Sequence, residues 1–487
     1  MTTVPENRIR SGNARKVNPE GDYVLYWMTA FRRLGWNFAL QHAADLSRDL
    51  RKPLVVLEIL FADYPYASHR LHRFVLDGMA ERSRELAGGP VLHHPFVERE
   101  PGETKGLLPA LAARACCVVA DDYPSFFLPR MVEEASGRSD VRFDLVDSNG
   151  LLPLAAVDRT FTAAYHFRRF LQKYLPPHLL ELPQATPLSE PLPDPHEAIS
   201  DEILQRWPPA GPDSLAGDGR ILEELPLDAT VPPVGYPGTA QEAHRRLDAF
   251  VESGLGRYAD DRNHPDLDAT SRLSPFLHFG TISSHEVFAG ITAWEGWSPL
   301  RLSERTDGAR AGWWGMGPGA EAFLDQLVTW RELGFNMSSR EESYARYESL
   351  PGWARGTLEE HEGDPRPHLY SLRELREART HDPLWNAAQR QLLEEGIIHN
   401  YLRMLWGKKI LQWTPSARQA LDVMVDLNDR LAVDGRDPNS YSGIFWCLGR
   451  YDRGWPERPV FGKVRSMSSS RTQAKVSLDN YLTRFGS

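Results

Sequence analysis

Cysteine is scarce in this chain of 487 residues. Only Cys116, Cys117 and Cys447 are present, and none of them shows C-x-x-C spacing, which excludes a disulfide framework and argues against a zinc site. No apolar run approaches ~18 residues and the chain starts with polar residues, so neither a membrane span nor a secretory signal is expected. These absences predict a cytoplasmic protein without a metal centre or a membrane partner.

A dinucleotide-binding signature is also missing. Buried strands are expected at 22–30, 53–60, 116–120 and 141–146, with helices at 37–49 and 70–86 between them. Strands that alternate with helices at this spacing predict a parallel α/β sheet. The turns from strand to helix lack G-x-G-x-x-G, so nothing in them specifically indicates a nucleotide site.

The acidic residues are unevenly distributed. The net charge is -10, and residues 181–240 combine eleven acidic side chains and two basic ones with twelve prolines. Proline removes backbone donors and disfavours helix in the residue before it, so a proline-rich acidic linker is predicted over 176–240. Helical periodicity then predominates, at 241–256, 283–294, 319–337, 371–379, 385–395, 397–413 and 416–430. We therefore predict a Rossmann-like parallel α/β domain at 20–175, followed by an all-helical domain at 241–487.

Basic residues gather near the end of the chain. Residues 450–475 carry seven arginines and lysines against two acidic side chains. A local basic patch attracts phosphates over a Debye length of ~10 Å whatever the overall charge. This segment indicates a surface for a polyanion, and a solvated tail is the alternative.

Aromatic residues recur at helical spacing. If 397–413 is one helix, Trp406 and Trp413 lie two turns, roughly 10 Å, apart on one face. Such indoles could pass electrons, or they could simply form the core. Gln326 and Trp330 are four residues apart and share a face, which suits a base that is stacked on one side and read at its edge. A core tryptophan beside an exposed glutamine is the other interpretation.

A hydroxyl-rich turn, Thr270-Ser-Arg-Leu-Ser274, leads into a predicted helix. Free backbone N–H groups and hydroxyls at a helix start can hold a pyrophosphate. The same residue types also serve as N-caps. Both interpretations stay open on the residues alone.

Taken together, these motifs resemble the photolyase/cryptochrome flavoproteins, and in particular the class II cyclobutane pyrimidine dimer photolyases. The resemblance runs weakly from about residue 20 and strongly from about 250 to 468. It implies an α/β antenna domain before a helical FAD-binding domain, and a monomer that repairs pyrimidine dimers in DNA with light. A second antenna chromophore, of deazaflavin or folate type, is left open.

The resemblance also assigns roles to residues. The implied FAD-binding residues are Tyr258, Thr270, Ser271, Arg272, Leu273, Ser274, Arg331, Arg403, Asn428, Asp434 and Asp437. The implied catalytic residues around the flavin and the dimer are Gln326, Trp330, Met404, Asn428 and Trp446. The implied electron relay is Trp385, Trp406 and Trp413, and the implied phosphate contacts are Arg453 and Arg465. In the family, the Asn428 position faces flavin N5, and a pair like Arg403 and Asp434 lies beside the isoalloxazine.

The chain departs from the family pattern at four positions. Gln326 stands where class II photolyases normally have a glutamate that bonds the dimer carbonyls. Tyr451 replaces a histidine, Ser466 an aromatic residue and Ser468 an asparagine. These departures favour an alternative, a cryptochrome-like blue-light photoreceptor without repair activity, whereas the retained pocket tryptophans and hairpin arginines favour repair. A light-independent DNA-binding flavoprotein would leave the tryptophans of the relay unexplained.

Overall fold

The computed structural model describes residues 2–216 and 220–486. The chain forms two compact units. Unit 1 comprises Met1–Val157, Leu175–Leu247 and Leu273–Gly290, and unit 2 comprises Asp158–Tyr174, Asp248–Arg272 and Ile291–Ser487.

Unit 1 contains a sheet of six strands. The strands are β1 (Ile9–Ser11), β2 (Tyr23–Met28), β3 (Leu54–Leu60), β4 (Val91–Val97), β5 (Ala115–Asp121) and β6 (Arg142–Val146). Their order in the sheet is β1-β6-β5-β2-β3-β4. β1 pairs with β6 in antiparallel fashion, and all the other pairs are parallel.

Helices account for most of the remaining regular structure. The α-helices are α1 (Phe38–Leu50), α2 (His69–Leu86), α3 (Leu107–Arg114), α4 (Leu128–Arg138), α5 (Ala164–Tyr174), α6 (Asp201–Arg206), α7 (Pro212–Leu215), α8 (Arg220–Glu223), α9 (Ala240–Ala249), α10 (Tyr258–Asp261), α11 (Ser274–Phe279), α12 (Ser284–Trp294), α13 (Pro318–Leu324), α14 (Arg331–Arg340), α15 (Gly352–Glu360), α16 (Leu372–Arg376), α17 (Pro383–Glu395), α18 (Asn400–Trp413), α19 (Ala417–Leu431), α20 (Pro438–Cys447), α21 (Ser469–Gln473) and α22 (Asp479–Phe485). Two π-helical segments cover Phe250–Gly254 and Asp325–Trp330. Short 3₁₀ turns cover Glu6–Arg8, Leu154–Ala156, Pro176–Leu180, Leu255–Arg257, Pro265–Leu267, Pro299–Arg301 and Tyr347–Ser349.

The sheet confirms the predicted parallel α/β architecture. Every residue of β2, β3 and β5 is buried, as expected for parallel strands covered on both faces, which are apolar along their whole length. Two strands were not predicted. β4 contains His93, His94 and Pro95, which interrupt its apolar pattern, and β1 is an edge strand of only three residues.

The described residues of the segment predicted as a linker, 176–240, are part of unit 1. Ile199, Ile203 and Trp207, spaced four apart around α6, join the apolar core that contains β2, β3 and β5. The Trp207 indole N–H donates to the carbonyl oxygen of Glu103 at 3.0 Å. At Gly238 a Cβ atom would lie 1.9 Å from the Phe74 carbonyl oxygen, so the backbone approaches too closely for any other residue. Proline content indicated irregular backbone but did not reveal these apolar contacts.

Unit 2 is helical, which confirms the predicted fold class. α17, α18 and α19 begin and end within three residues of the predicted bounds. The predicted helix 319–337 is interrupted, because π-helical Asp325–Trp330 separates α13 from α14. Within the described part of the chain, no helix has both the length and the apolarity that a bilayer crossing requires. The same residues contain no group of three or more metal-ligating side chains that could hold a metal ion.

A buried ionic cluster lies on β3 in unit 1. Glu58 is fully buried and accepts hydrogen bonds from Nε and Nη2 of Arg82 at 3.0 and 2.6 Å. Arg32 and His93 lie 3.4 Å from its carboxylate oxygens. Burial alone would raise the pKa of Glu58, but Arg82, His93 and Arg32 outweigh it and hold this pKa at about 2.

Removing this carboxylate should destabilise unit 1. We expect Glu58→Gln to lower the free energy of unfolding by about 3–5 kcal/mol, because it leaves buried guanidinium charge uncompensated. Urea unfolding at neutral pH measures the change. The exposed pair Glu134–Arg138 provides the control, and Glu134→Gln should cost less than about 1 kcal/mol.

The difference in the free energy of unfolding between the wild type and Glu58→Gln should also depend on pH. Because the folded pKa lies below the unfolded one, the advantage of Glu58 is complete above the unfolded pKa near 4.5 and disappears as pH falls towards 2. If Glu58→Gln and Glu134→Gln lowered the free energy of unfolding equally at neutral pH, the buried cluster would contribute no more to stability than a surface ion pair.

Candidate functional site

α18 carries four of the predicted site residues, Arg403, Met404, Trp406 and Trp413. α17, α19 and α20 all pack against it. These neighbours supply Trp385, Asn428 and Trp446. Unit 2 therefore brings seven of the residues predicted around the flavin, the dimer and the relay onto four contacting helices.

A polar cluster forms around Arg403. Its Nη2 lies 3.3 Å from Asp434 Oδ1, and its Nη1 donates to Asn428 Oδ1 at 3.4 Å. The Asn428 amide nitrogen donates to Asp429 Oδ1 and to Ser440 Oγ, both at 2.8 Å. Both amide hydrogens are thus used within the chain, and the carbonyl oxygen is the polar atom that Asn428 presents towards Arg403.

Asp429 holds this arrangement in place, and sequence reasoning missed it. The residue is fully buried and accepts hydrogen bonds from Asn428, from the Tyr441 hydroxyl at 2.8 Å and from the Arg436 backbone at 3.1 Å. Burial raises the pKa of Asp429, against the opposing effects of Asn428, Arg436 and Tyr441. Three hydrogen bonds to a carboxylate at this position fix the rotamer of the neighbouring Asn428. The only signal in the sequence was a second polar residue beside Asn428 on an otherwise apolar helix face.

The three tryptophans of the predicted relay are brought together and buried, with at most 3% of each exposed. The Trp385 indole N–H donates to the carbonyl oxygen of Trp406 at 3.0 Å, and the Trp406 indole N–H donates to Gln389 Oε1 at 2.8 Å. The rings of Trp385 and Trp413 meet edge to face, with centroids 5.5 Å apart. Trp385 therefore links the two tryptophans of α18.

A second aromatic pair consists of Trp330 and Trp446, which are both partly exposed. Their rings stack with centroids 4.6 Å apart and planes 15° apart. Gln326 lies on the same π-helical segment as Trp330, and its side chain makes no hydrogen bond within the described residues. π-Helical segments of this kind often occur at functional sites. The stacked indoles and the adjacent amide provide an apolar surface with one polar group at its side.

An ion pair missed by sequence reasoning anchors this segment. Arg168 on α5 binds the carboxylate of Asp325 through Nε at 2.8 Å and Nη2 at 3.2 Å. Both side chains are largely buried. Because Asp325 is the first residue of the π-helical segment, the bidentate contact fixes the position of Gln326, the next residue.

Lys408 is a second unanticipated residue, since it is a fully buried lysine on α18. Its ammonium group donates to the carbonyl oxygen of Cys447 at 2.6 Å, at the end of α20 and one residue after Trp446. Met404 contacts the same place, with its sulfur 3.8 Å from Cys447 Sγ. Burial lowers the pKa of Lys408 to about 8.

The hydroxyl-rich turn does not cap α11. Leu273 is the N-cap residue and makes no side-chain capping bond, and Ser274 is already helical. The Thr270 and Ser271 hydroxyls make no hydrogen bond within the described residues. Arg272 adopts a positive φ of 52° and contacts Asp268 at 3.0 Å. The N-cap interpretation is therefore not what the structure shows, and the two hydroxyls remain available to a ligand.

Tyr258, Arg331 and Asp437 make contacts within unit 2. Tyr258 is buried against Phe250 and Phe323. Arg331 lies over the ring of Phe335, 4.3 Å from its centroid. Asp437 is the N-cap of α20, where it accepts the Asn439 backbone N–H at 2.8 Å.

The basic segment includes a short hairpin. Trp455 and Lys463 are joined by a backbone hydrogen bond of 2.8 Å, and Arg458 pairs with Gly462. Arg453 and Arg465 are exposed, and their guanidinium carbons lie 5.6 and 5.0 Å from the centroid of the Trp455 ring. This surface can therefore present two cations close to one indole.

Arg450 and Tyr451, at the start of the basic segment, lie inside the protein. Arg450 is buried over the ring of Phe445 and donates to the carbonyl oxygen of Tyr344. The Tyr451 hydroxyl lies 3.3 Å from Ser442 Oγ in the interior. Arg450 therefore adds no charge to the surface patch.

Lys408 makes stability depend on pH in a defined direction. Its folded pKa of about 8 lies below the unfolded value of 10.5, so the unfolded state binds more protons between these limits. Raising pH through this window should stabilise the wild type relative to Lys408→Met by up to about 3 kcal/mol. Urea unfolding of both proteins at several pH values measures it. Lys475→Met, at an exposed lysine of the basic segment, is the control and should change stability little. A stability difference between Lys408→Met and the wild type that does not change with pH would contradict a buried, titrating ammonium group.

Comparison with known proteins shows similarity over almost the whole chain. The chain is 35% identical over 479 residues to the deoxyribodipyrimidine photo-lyase of Methanothermobacter thermautotrophicus, covering 98% of this chain and 97% of that protein. It is 31% identical over 487 residues to the deoxyribodipyrimidine photo-lyase of Arabidopsis thaliana, covering 98% and 91%. The corresponding protein of Potorous tridactylus is 32% identical over 465 residues, covering 94% and 80%. No family model matches the chain.

Solved structures share the fold. A class III photolyase from Agrobacterium tumefaciens superposes with a TM-score of 0.64 at 17% identity, covering 97% of this chain and 87% of that one. A Sulfolobus tokodaii photolyase, solved with two FAD molecules, superposes with a TM-score of 0.63 at 16% identity, covering 93% and 87%. At these identities the likeness establishes the fold alone.

Proposed function

The chain belongs to the photolyase family, and we propose that it repairs cyclobutane pyrimidine dimers in DNA with light and FAD. We further propose that it is of the class II type, on the motifs around Trp330, Arg403 and Asn428. The observation that carries the proposal is α18, which places Arg403 and Trp406 three residues apart, so that one helix contributes to both the polar cluster and the tryptophan relay. A light-harvesting chromophore in unit 1 is a further part of the proposal, supported by the second FAD of the Sulfolobus protein.

The polar groups of unit 2 suit a flavin. Arg403 and Asp434 form a half-buried ion pair that would set the electric field beside an isoalloxazine ring. Asn428 presents its carbonyl oxygen, an acceptor that suits the N–H of a reduced flavin. The uncommitted hydroxyls of Thr270 and Ser271 suit a diphosphate. FAD, when bound, supplies the light absorption and the electron, and the protein binds, orients and tunes it.

The partly exposed pair of indoles, Trp330 and Trp446, and Gln326 would receive the lesion. A pyrimidine dimer flipped out of the duplex exposes apolar ring faces and carbonyl oxygens at its edges. Trp330 and Trp446 provide a flat apolar surface of matching character, and the free amide of Gln326 can donate a hydrogen bond to a dimer carbonyl. An amide cannot deliver a proton as a carboxylic acid can, so this side chain binds without acting as an acid.

The hairpin would make the contacts with the DNA phosphates. Arg453 and Arg465 are exposed beside Trp455, without an acidic partner at bonding distance among the described residues. They would attract the DNA backbone and hold the strand that carries the lesion.

Repair should depend on the amide of Gln326. We expect the wild type with reduced FAD to repair a thymine-dimer oligonucleotide in light and not in darkness. Gln326→Glu should repair equally well or better, because it restores an acidic proton. Gln326→Ala should lose about 1–3 kcal/mol of pocket complementarity, measured as weaker binding of the dimer and a lower repair yield.

Gln473→Glu, the same substitution at an exposed position, controls for the added charge. Its dimer binding and repair yield should match those of the wild type. If neither the wild type nor Gln326→Glu repairs the dimer in light, a blue-light photoreceptor without repair activity replaces the proposal.

DNA binding should depend on the two arginines of the hairpin. Replacing both Arg453 and Arg465 by alanine should weaken damaged-DNA binding and lower its log–log salt slope by at most about two units, since two phosphate contacts are lost. Titration of a labelled duplex at several salt concentrations measures this. The exposed Arg305 and Arg310, replaced together, are the control and should leave the slope unchanged. An unchanged slope in the hairpin variant would place the binding surface elsewhere.

A further inference from the structure

A histidine that directly follows α15 lies between two carboxylates. The Nδ1 atom of His361 is 2.6 Å from Asp364 Oδ2, and its Nε2 atom is 2.8 Å from Glu457 Oε1. Ionised carboxylates only accept hydrogen bonds, so both contacts are hydrogen bonds only when both ring nitrogens carry a proton. The geometry therefore fits an imidazolium ion that bridges the two acids.

One of these acids belongs to the hairpin that is proposed to hold DNA phosphates. Glu457 is the acidic residue of the hairpin segment 455–463, which has Arg458 and Lys463 as its basic residues. The other acid also binds the hairpin, because Asp364 accepts the backbone N–H of Val460 at 2.8 Å. The bridge from Asp364 through His361 to Glu457 therefore joins the hairpin to the segment after α15.

The backbone of the hairpin packs directly on α15 at the same place. The Lys463 backbone N–H donates to Thr357 Oγ1 at 3.0 Å. A Cβ atom at Gly462 would lie 2.1 Å from Thr357 Oγ1 and 2.8 Å from Cδ2 of His361, so the approach is too close for any residue except glycine. The imidazole ring is therefore part of the contact between α15 and the hairpin.

The charges around the ring favour its protonated form. The hydrogen bond with Asp364 and then that with Glu457 raise the pKa of His361, against a smaller effect of desolvation. Asp364 faces the ring from the segment after α15 and Glu457 faces it from the hairpin. The Val460 backbone N–H and then His361 lower the pKa of Asp364, and Arg366 adds a smaller effect, so this carboxylate stays ionised.

The sign of the pH dependence follows from these contacts. The pKa of His361 in the folded protein lies above its ordinary value of 6.5. The bridge is therefore complete below pH 6.5 and is lost as pH rises through the folded pKa.

We propose that His361 is a positioning residue for DNA binding, which as an imidazolium docks the hairpin on α15 and compensates the charge of Glu457. This inference rests on the proposed contacts of Arg453 and Arg465 with DNA phosphates, and it adds a dependence of binding on pH that those contacts alone do not have.

Loss of the proton should release Glu457 rather than Asp364. A neutral imidazole keeps one N–H, so one of the two carboxylates then faces a ring lone pair. Asp364 has a second hydrogen bond from Val460, whereas Glu457 is the more exposed of the two acids. The released carboxylate repels a phosphate bound by the hairpin, and the hairpin loses one of its attachments to α15.

Titration of a labelled thymine-dimer duplex with the FAD-loaded protein, below and above the pKa of His361, tests the proposal. The wild type should bind several-fold more weakly above this pKa. His361→Gln should bind several-fold more weakly than the wild type below the pKa and about equally above it, because a single amide nitrogen does not bridge both acids. Glu457→Gln should bind tightly at both pH values, since its amide accepts from the protonated ring and donates to the neutral one.

The matched control is His178→Gln. The Nδ1 atom of His178 lies 3.2 Å from Glu181 Oε2 in unit 1, so this variant removes another histidine that is paired with a carboxylate. Its DNA binding should keep the pH profile of the wild type. A wild type whose binding does not weaken above the pKa of His361, or a wild-type profile in His361→Gln, would overturn the inference.

NMR titration of His361 gives a readout that needs neither DNA nor flavin, and His361→Gln identifies its signal. The pKa of His361 should fall in Glu457→Gln, because one of the two carboxylates that favour the imidazolium is removed, and should not change in Glu181→Gln. A pKa that does not fall in Glu457→Gln would overturn this inference alone. If the pKa falls as expected but the wild type does not bind the duplex at either pH, the proposed function is wrong, and the role of His361 in DNA binding with it.

Discussion

The need of two buried indole N–H groups for acceptors fixes how α17 packs against α18 in unit 2. Trp385 on α17 donates to the backbone of Trp406 on α18, and Trp406 donates back to Gln389 on α17. Two hydrogen bonds in opposite directions fix the rotation and the register of one helix against the other, because leaving either N–H unpaired would cost free energy. Arg403 lies one turn before Trp406, so the same constraint directs Arg403 towards Asn428 on α19.

Buried charges act in the same way on the surface proposed to bind the lesion. Arg168 holds Asp325 at the start of the π-helical segment, and Lys408 holds the carbonyl group that follows Trp446. Each ionised group requires a specific partner at a specific place, so each contact selects one arrangement of backbone. The stack of Trp330 on Trp446 is therefore fixed from both sides by interactions that do not involve the indoles.

The sequence predicted those strands and helices that a local pattern of apolar residues determines. Continuous apolar runs marked β2, β3 and β5, and helical periodicity marked α17, α18 and α19. Strand β4, the packing of Ile203 and Trp207, and the π-helical segment depend on contacts with distant parts of the chain, which periodicity does not record. The residues of the candidate site likewise fall into those that the sequence indicates and those that only the structure reveals. Its tryptophans and Arg403 stand out in recognisable motifs, whereas Asp429 and Lys408 show their importance only through burial and partners.

The departures from the family pattern differ in what they can change. Tyr451 is buried against Ser442, and Ser468 serves as the N-cap of α21, where it accepts the Arg471 backbone N–H. Substitutions at such positions adjust packing and local backbone. Gln326 is partly exposed beside Trp330 and makes no hydrogen bond within the described residues, so its amide is available to a bound molecule. Among these three departures, Gln326 is therefore the one whose functional group is placed to contact a bound molecule. Under the proposed function it would offer a neutral donor where the resemblance to class II implies an acid.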